Sequence, residues 1–234
     1  MDLGSLFQKG GVTMYPLMIL SILTLTVAFE RIRFWFNVLN KEKEIMNRIL
    51  DASRRDWSVA AEIARQAYDQ PVGRFLLTAL QLQAPEPDLF RLALESSADD
   101  EIAGMRRGEK LLEVVIAMAP LLGLLGTVLG LIKTLGSITL SALGTEVTKD
   151  AAGGIGESLI STASGLIVAL LALAFYRVFQ LLVFNQAKDF RRAGNELELL
   201  YRQKWQYDRA AIESSIGTSY ATPSFADDYS SGEA

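Results

Sequence analysis

The chain alternates between long apolar runs and segments of mixed charge. Three runs, at 12–29, 114–132 and 158–176, carry no charged side chain. Each has about 18 residues, the length that a helix needs to cross a bilayer core of about 30 Å. Buried core helices of a soluble protein are the alternative, but the charges are confined to the ends of all three runs. The pattern therefore predicts an all-α integral membrane protein with three transmembrane helices.

Basic residues indicate which ends of these helices face the cytoplasm. They follow the first and third runs, at Arg31, Arg33, Lys41, Lys43, Arg191 and Arg192. Because positive residues are retained on the cytoplasmic side, we expect the N-terminus outside and the C-terminus inside. Phe29, Glu30 and Arg31 stand where a signal peptide would have small residues for cleavage, which favours a retained first helix.

These signals divide the chain into seven segments. They are an outer N-terminus with transmembrane helix 1 (1–36), a cytoplasmic helical segment (37–110), transmembrane helix 2 (111–138), a short outer loop (139–153), transmembrane helix 3 (154–184), a cytoplasmic helical extension (185–209) and a tail expected to be disordered (210–234). Helices 2 and 3 are expected to be long and to extend into a helical cytoplasmic body. The stretch 88–107 should run unbroken into helix 2, because no proline intervenes before Pro120.

A stripe of small and hydroxyl side chains follows one side of each of the last two helices. At heptad spacing, positions 120, 123, 127, 130, 134, 137 and 141 are Pro, Gly, Thr, Gly, Thr, Ser and Ser, and positions 158, 162, 165, 169, 172 and 176 are Ser, Thr, Gly, Ala, Ala and Tyr. Close packing of helices explains small residues equally well. A threonine in the middle of each stripe favours a partly polar inner surface.

The composition excludes several kinds of chemistry. The chain has no cysteine and no histidine, so disulfides, thiolates and histidine–metal sites are ruled out. It has no phosphate-binding loop and no nucleophile–base pair, and a net charge of −4 gives no reason to expect nucleic acid. We therefore expect no metal, no cofactor and no enzymatic activity. Glu157 and Glu113 stand near the ends of their helices, so neither stripe carries a carboxylate in mid-membrane.

The two stripes occur within motifs of a known family. The sequence APLLGLLGTVLGLIKTL (119–135), followed by GGIGESLISTASGLIVALLA (153–172), resembles the two signature helices of the ExbB/TolQ/MotA proton-channel family. Glu30-Arg31 at the end of helix 1 is also similar to that family. Three predicted crossings resemble the ExbB/TolQ branch.

The resemblance implies a function and a set of partners. It implies a subunit of a bacterial inner-membrane motor, in which a ring of five such chains surrounds a single-span ExbD/TolR-like partner. That partner supplies the membrane Asp that exchanges protons, and a TonB/TolA-like protein carries the work to the outer membrane. The family's pore threonines match Thr127 and Thr162, and its membrane glutamate matches Glu157.

The predicted ion pathway thus comprises Thr127, Thr162, Glu157, Ser161 and Ser158, and the predicted packing residues of the pore face are Gly123, Gly130, Thr134, Gly165 and Ala169. Ser161 and Ser164 flank Thr162 and depart from the family pattern, which leaves a sodium-driven version open. A membrane scaffold and a transporter subunit are further alternatives. A transporter is expected to have broken helices around a substrate site at the midplane of the membrane, and the sequence shows no sign of such helices.

The orientation gives the first testable prediction. Since the chain lacks cysteine, single cysteines replacing Ser5 and Ser215 report the location of each end. An impermeant thiol reagent added to intact cells should label the Ser5→Cys variant and leave Ser215→Cys unlabelled until the membrane is permeabilised. The opposite labelling pattern would contradict the predicted topology.

Overall fold

A computed structural model describes the backbone of residues 11–140 and 145–219, and the side chains of 11–136, 153–156 and 158–214. All of the regular secondary structure in these ranges is helical. The helices are α1 (Met14–Ser53), α2 (Trp57–Gln66), α3 (Pro71–Leu80), α4 (Pro87–Met105), α5 (Glu109–Leu140) and α6 (Thr145–Ser219). The all-α fold class predicted from the sequence is confirmed for this part of the chain.

The helices form two compact units. The first contains the chain up to Lys43 and Asp99–Asp189, and the second contains Glu44–Ala98 and the chain from Phe190 onward. The long helices α1 and α6 therefore contribute to both units.

The core of the first unit follows the spacing of small and apolar residues along α1, α5 and α6. The buried positions of α1 recur at steps of three and four, at Ala28, Arg31, Trp35, Val38 and Glu42. Those of α6 are Ser158, Ser161, Gly165, Ala169, Ala172, Phe179, Val183 and Gln186. This spacing keeps one face of each helix turned inward, as in a coiled-coil seam.

Two of the described helices are long and apolar enough to cross a membrane. The candidate spans lie within Glu109–Gly136 and Gly153–Ser214. Their outward faces consist of exposed leucine, isoleucine and valine, such as Leu121, Ile132 and Leu170. An apolar surface of this kind is expected in contact with lipid rather than water. The crossing expected at 12–29, in α1, stays a prediction.

The expectation that 88–107 continues unbroken into helix 2 was wrong. The chain turns between α4 and α5 at Gly108, whose φ of 89° lies in the left-handed region that favours glycine. Arg31 of α1 is buried beside this turn and donates from Nη1 to the carbonyl oxygen of Met105 at 3.3 Å. A cation at the C-terminus of α4 satisfies a carbonyl that the helix leaves unpaired and complements the helix dipole.

Helix α6 extends beyond the bounds expected from the sequence at both ends. It begins at Thr145, inside the segment expected to be the outer loop, and continues to Ser219, beyond the position 210 at which the tail was expected to begin. The 75-residue helix contains no proline, and its last third is rich in strong helix formers such as Ala, Glu, Leu and Arg. Positions 141–144 and 220–234 of the expected loop and tail lie outside the described residues.

The second unit is built around stacked aromatic rings. The ring of Phe90 stacks on that of Tyr201 with centroids 4.1 Å apart, and Trp57 meets both rings edge-on. The Tyr201 hydroxyl donates to the carbonyl oxygen of Pro85 at 2.6 Å, so its polar end is satisfied although the side chain is buried. Phe75 stacks in the same way on Phe190 at 4.6 Å. These contacts join α2, α3 and the start of α4 to α6.

Two glycines offer a matched test of the packing of the helices that carry them. A methyl group at Gly73 would collide with the backbone of Ala67 at the end of α2, whereas one at Gly104 would meet no atom within 4 Å. Gly73→Ala should therefore lower the free energy of unfolding by about 1–3 kcal/mol through overpacking. Gly104→Ala should raise it by up to about 1 kcal/mol, because alanine loses less backbone entropy in a helix. Thermal unfolding in mild detergent measures both; equal shifts would contradict the α2–α3 contact.

Candidate functional site

Helices α5 and α6 lie antiparallel and in close contact over the two stripes. Near one end Glu113 meets Tyr176, further along Gly123 meets Thr162, and Gly130 meets Gly154. The positions that the sequence analysis assigned to the two stripes are therefore brought together within one chain.

Glycine allows this approach because a side chain would have no room. A Cβ on Gly165 would lie 2.5 Å from the carbonyl oxygen of Ala119, and one on Gly123 would lie 3.1 Å from Cα of Thr162. Built on Gly130 or Gly154, it would overlap the hydroxyls of Ser158 and Thr134 respectively. Contact between α5 and α6 alone thus explains why Gly123, Gly130 and Gly165 are small. Thr134 and Ala169, the other predicted packing residues, are also buried.

Hydrogen bonds from hydroxyl groups join the two helices. Ser158 Oγ shares its single proton between the carbonyl oxygens of Gly154 in its own helix, at 2.9 Å, and of Thr127 in α5, at 3.2 Å. Thr162 Oγ1 donates across the interface to the carbonyl oxygen of Gly123 at 3.0 Å. Thr162 bonds to the opposite helix rather than to its own, so it adds one polar contact to the glycine contacts that hold α5 against α6.

Thr127 and Thr162 lie at the edge of this interface and keep partial exposure. Thr127 Oγ1 donates to the carbonyl oxygen of Leu124 in its own helix at 2.6 Å. Both side chains are half-buried, whereas Ser158 is 4% exposed and Ser161 fully buried. The two threonines are therefore the predicted pathway hydroxyls that remain accessible at mid-helix within one chain. The side chain of Glu157, also predicted for the pathway, lies outside the described residues.

Ser161 contacts a residue that the sequence analysis missed. Its hydroxyl lies 2.7 Å from that of Thr13 at the start of the chain's first apolar run, and a methyl group on Gly126 would collide with Ser161. Thr13, Gly126 and Ser161 thus form a contact of α5 and α6 with the N-terminal segment. The two hydroxyls are 148 positions apart in sequence, so no local pattern links them.

Glu113, at the end of α5 near Glu109, forms a small polar network with α6. The Tyr176 hydroxyl donates to Glu113 Oε1 at 2.5 Å, and Gln180 Nε2 donates to the Tyr176 oxygen at 2.8 Å. A carboxylate with a phenol donor is satisfied locally, so this acid has a structural partner at the end of the helix pair. Among the described side chains, no three Asp or Glu residues come together in a group that could hold a metal ion.

Comparison with known proteins identifies the family of the chain. The model of the MotA/TolQ/ExbB proton channel family, which is a channel family and not an enzyme family, matches residues 67–192. The chain is 51% identical over 200 residues to the biopolymer transport protein ExbB-like 1 of Synechocystis sp., covering 85% of this chain and 79% of the relative. It is 35% identical over 196 residues to ExbB-like 3 of the same organism, covering 84% and 93%.

A relative from a second bacterium matches at lower identity. The biopolymer transport protein exbB1 of Vibrio cholerae is 31% identical over 186 residues, which cover 74% of this chain and 77% of the relative. The family model alone covers more than half of the chain, and the match includes all of α5 and α6 as far as position 192. The chain therefore belongs to the MotA/TolQ/ExbB proton channel family.

Proposed function

We propose that this chain is the ion-channel subunit of an inner-membrane complex that couples the proton motive force to work by a partner protein. Membership of a proton channel family and the similarity to proteins named for biopolymer transport support a channel and transport role.

The observation that carries the proposal is the half-buried pair Thr127 and Thr162. Both hydroxyls lie at the α5–α6 edge, in stretches without a single charged residue. Partly exposed hydroxyls in such an apolar setting hydrogen-bond to water and so provide a polar path along the helix pair. A threonine does not titrate near neutral pH, so the chain needs a proton-exchanging group from elsewhere.

The missing carboxylate defines the partner. We infer a single-span protein of the ExbD/TolR type with an Asp in its apolar run, enclosed by several copies of this chain in a five-membered ring. Thr127 and Thr162 face that partner, and Glu157 is the acid predicted for the path toward the outer end of α6. Ser158, which is 4% exposed, holds α6 against α5 beside them. A TonB/TolA-like protein then transmits the motion, and lipid contacts the leucine-rich outer faces.

The glycines and Ser161 have a different role in this scheme. Gly123, Gly130 and Gly165 bring α5 and α6 together, as the tight backbone contacts between them support. Thr134 lies against Gly154 at the same interface, and Ala169 is also buried. Ser161 anchors the N-terminal segment through Thr13 rather than lining the path, since its hydroxyl is buried in that contact.

A structural scaffold is the second candidate, and the glycine contacts favour it. If small residues serve only packing, the whole stripe follows from the geometry of one chain and no ion path is needed. A sodium-driven channel uses the same pathway with a different ion. Removing a hydroxyl without changing the shape of the side chain separates the scaffold from both channels. A scaffold should keep its activity after this change, and a channel should lose it.

Replacing the threonines by valine separates the channel from the scaffold. Thr127→Val and Thr162→Val keep the side-chain volume and remove a membrane hydrogen bond worth about 0.6 kcal/mol, so assembly should survive on native gels. Energised uptake or envelope integrity should be lost, because the polar path is interrupted. Thr→Ser at either position keeps the hydroxyl and should retain much of the activity.

Thr26→Val is the matched control. Thr26 is exposed on α1 and donates to the carbonyl oxygen of Ile22 at 2.8 Å, so the same chemical change is made away from the α5–α6 edge. It should leave both assembly and activity intact. Normal activity in both Thr127→Val and Thr162→Val would return the stripe to a packing role, and sodium-dependent activity of the unmodified protein would favour the sodium-driven version.

A further inference from the structure

Glu42 of α1 occupies a position where an apolar residue is expected. It continues the buried spacing of Trp35 and Val38 and is only 4% exposed. Its Oε1 atom has no hydrogen-bond partner among the described residues. A buried carboxylate with an unsatisfied oxygen is costly in its charged form, so its presence in the core of the first unit needs a physical explanation.

The polar groups of α6 at this end of the first unit do not neutralise that charge. Asp189 acts on Glu42 as a like charge, and Lys43 next to it on α1 is the cation that acts in the opposite direction. Lys43 is exposed to solvent, where its charge is screened. Gln186, one turn before Asp189, is 2% exposed and its Nε2 also lacks a partner among the described residues. Buried Glu42 is thus repelled by Asp189, and the cation that acts on it, Lys43, is exposed rather than buried.

Such an environment favours the neutral form of the acid. Burial, and then repulsion by Asp189, raise the pKa of Glu42 from its ordinary 4.5 to about 7. A protonated carboxyl gains an O–H donor and loses the desolvation cost of a charge. The group therefore changes its protonation in the range of ordinary cytoplasmic pH.

We propose that Glu42 is a proton-binding site of the first unit, in which the buried carboxyl takes up a proton and thereby stabilises the packing of α1 in that unit. The site is separate from the Thr127–Thr162 edge and does not depend on the proposed function. Its ligand is a proton, and Asp189 tunes the affinity by repelling the ionised form.

The pH dependence follows from the direction of the shift. Between about pH 4.5 and pH 7 the unfolded chain releases this proton while the folded chain retains it. The folded protein then binds more protons than the unfolded one, so the contribution of Glu42 to stability falls as pH rises through this window and is fully lost above about pH 7.

The Glu42→Gln variant tests the proposal directly, because glutamine resembles the protonated carboxyl and cannot ionise. In detergent at about pH 8, Glu42→Gln should unfold at least about 5 °C above the unmodified protein. At about pH 5 the difference should be much smaller, because most of the Glu42 side chains are then protonated. Glu44→Gln, an exposed acid on the same helix, is the control and should show neither effect.

Infrared spectroscopy reports the proton itself. The C=O stretch of a protonated carboxyl should disappear with a midpoint near pH 7 in the unmodified protein and in Glu44→Gln, and be missing from Glu42→Gln. Asp189→Asn should retain the band and move its midpoint to lower pH. An unchanged band in Glu42→Gln, or Glu42→Gln no more stable than the unmodified protein at about pH 8, would overturn the proposal. A sodium effect would also overturn it. If sodium chloride at about pH 8 stabilises the unmodified protein more than choline chloride does, and Glu42→Gln abolishes this difference, then the site binds sodium and not a proton.

Discussion

The absence of a side chain at a few positions controls the contact between α5 and α6. Gly123, Gly126, Gly130, Gly154 and Gly165 each stand where a Cβ would press on the backbone or a hydroxyl of a neighbouring segment. Helices this close can exchange hydrogen bonds directly, and the bonds from Thr162 to Gly123 and from Ser158 to Thr127 do so. Small residues thus set the distance between the helices, and the hydroxyls add polar contacts across the interface.

Part of this arrangement could be predicted from the sequence. The apolar runs and the recurrence of Gly123, Gly130 and Thr134 indicate packed membrane helices, because both signals are local and periodic. The same heptad walk placed Thr127 on the stripe, yet the structure buries Ala119 and Gly126 and leaves Thr127 at the edge. Spacing alone cannot decide which of two neighbouring small residues faces the partner helix.

The Thr13–Ser161 contact and the turn at Gly108 differ in how far the sequence predicts them. The hydrogen bond between Thr13 and Ser161 joins the start of the chain to α6, and no local sequence pattern around either residue predicts it. The turn at Gly108 is different. A glycine preceded by Arg106 and Arg107 is a usual helix C-terminus, so the end of α4 does have a local signal in the sequence.

The hydrogen bonds of the stripe also determine whether its hydroxyls offer donors or acceptors to other molecules. Thr127, Thr134, Ser158 and Thr162 each commit their single hydroxyl proton to a backbone carbonyl of α5 or α6. Each hydroxyl oxygen then offers only lone pairs to anything outside the helix pair. A surface of acceptors attracts cations, acidic protons and the hydrogen atoms of water, and it gives an anion nothing to bind. Only Thr127 and Thr162 are half-buried, so in a single chain it is these two hydroxyl oxygens that present acceptors at the edge of the helix pair.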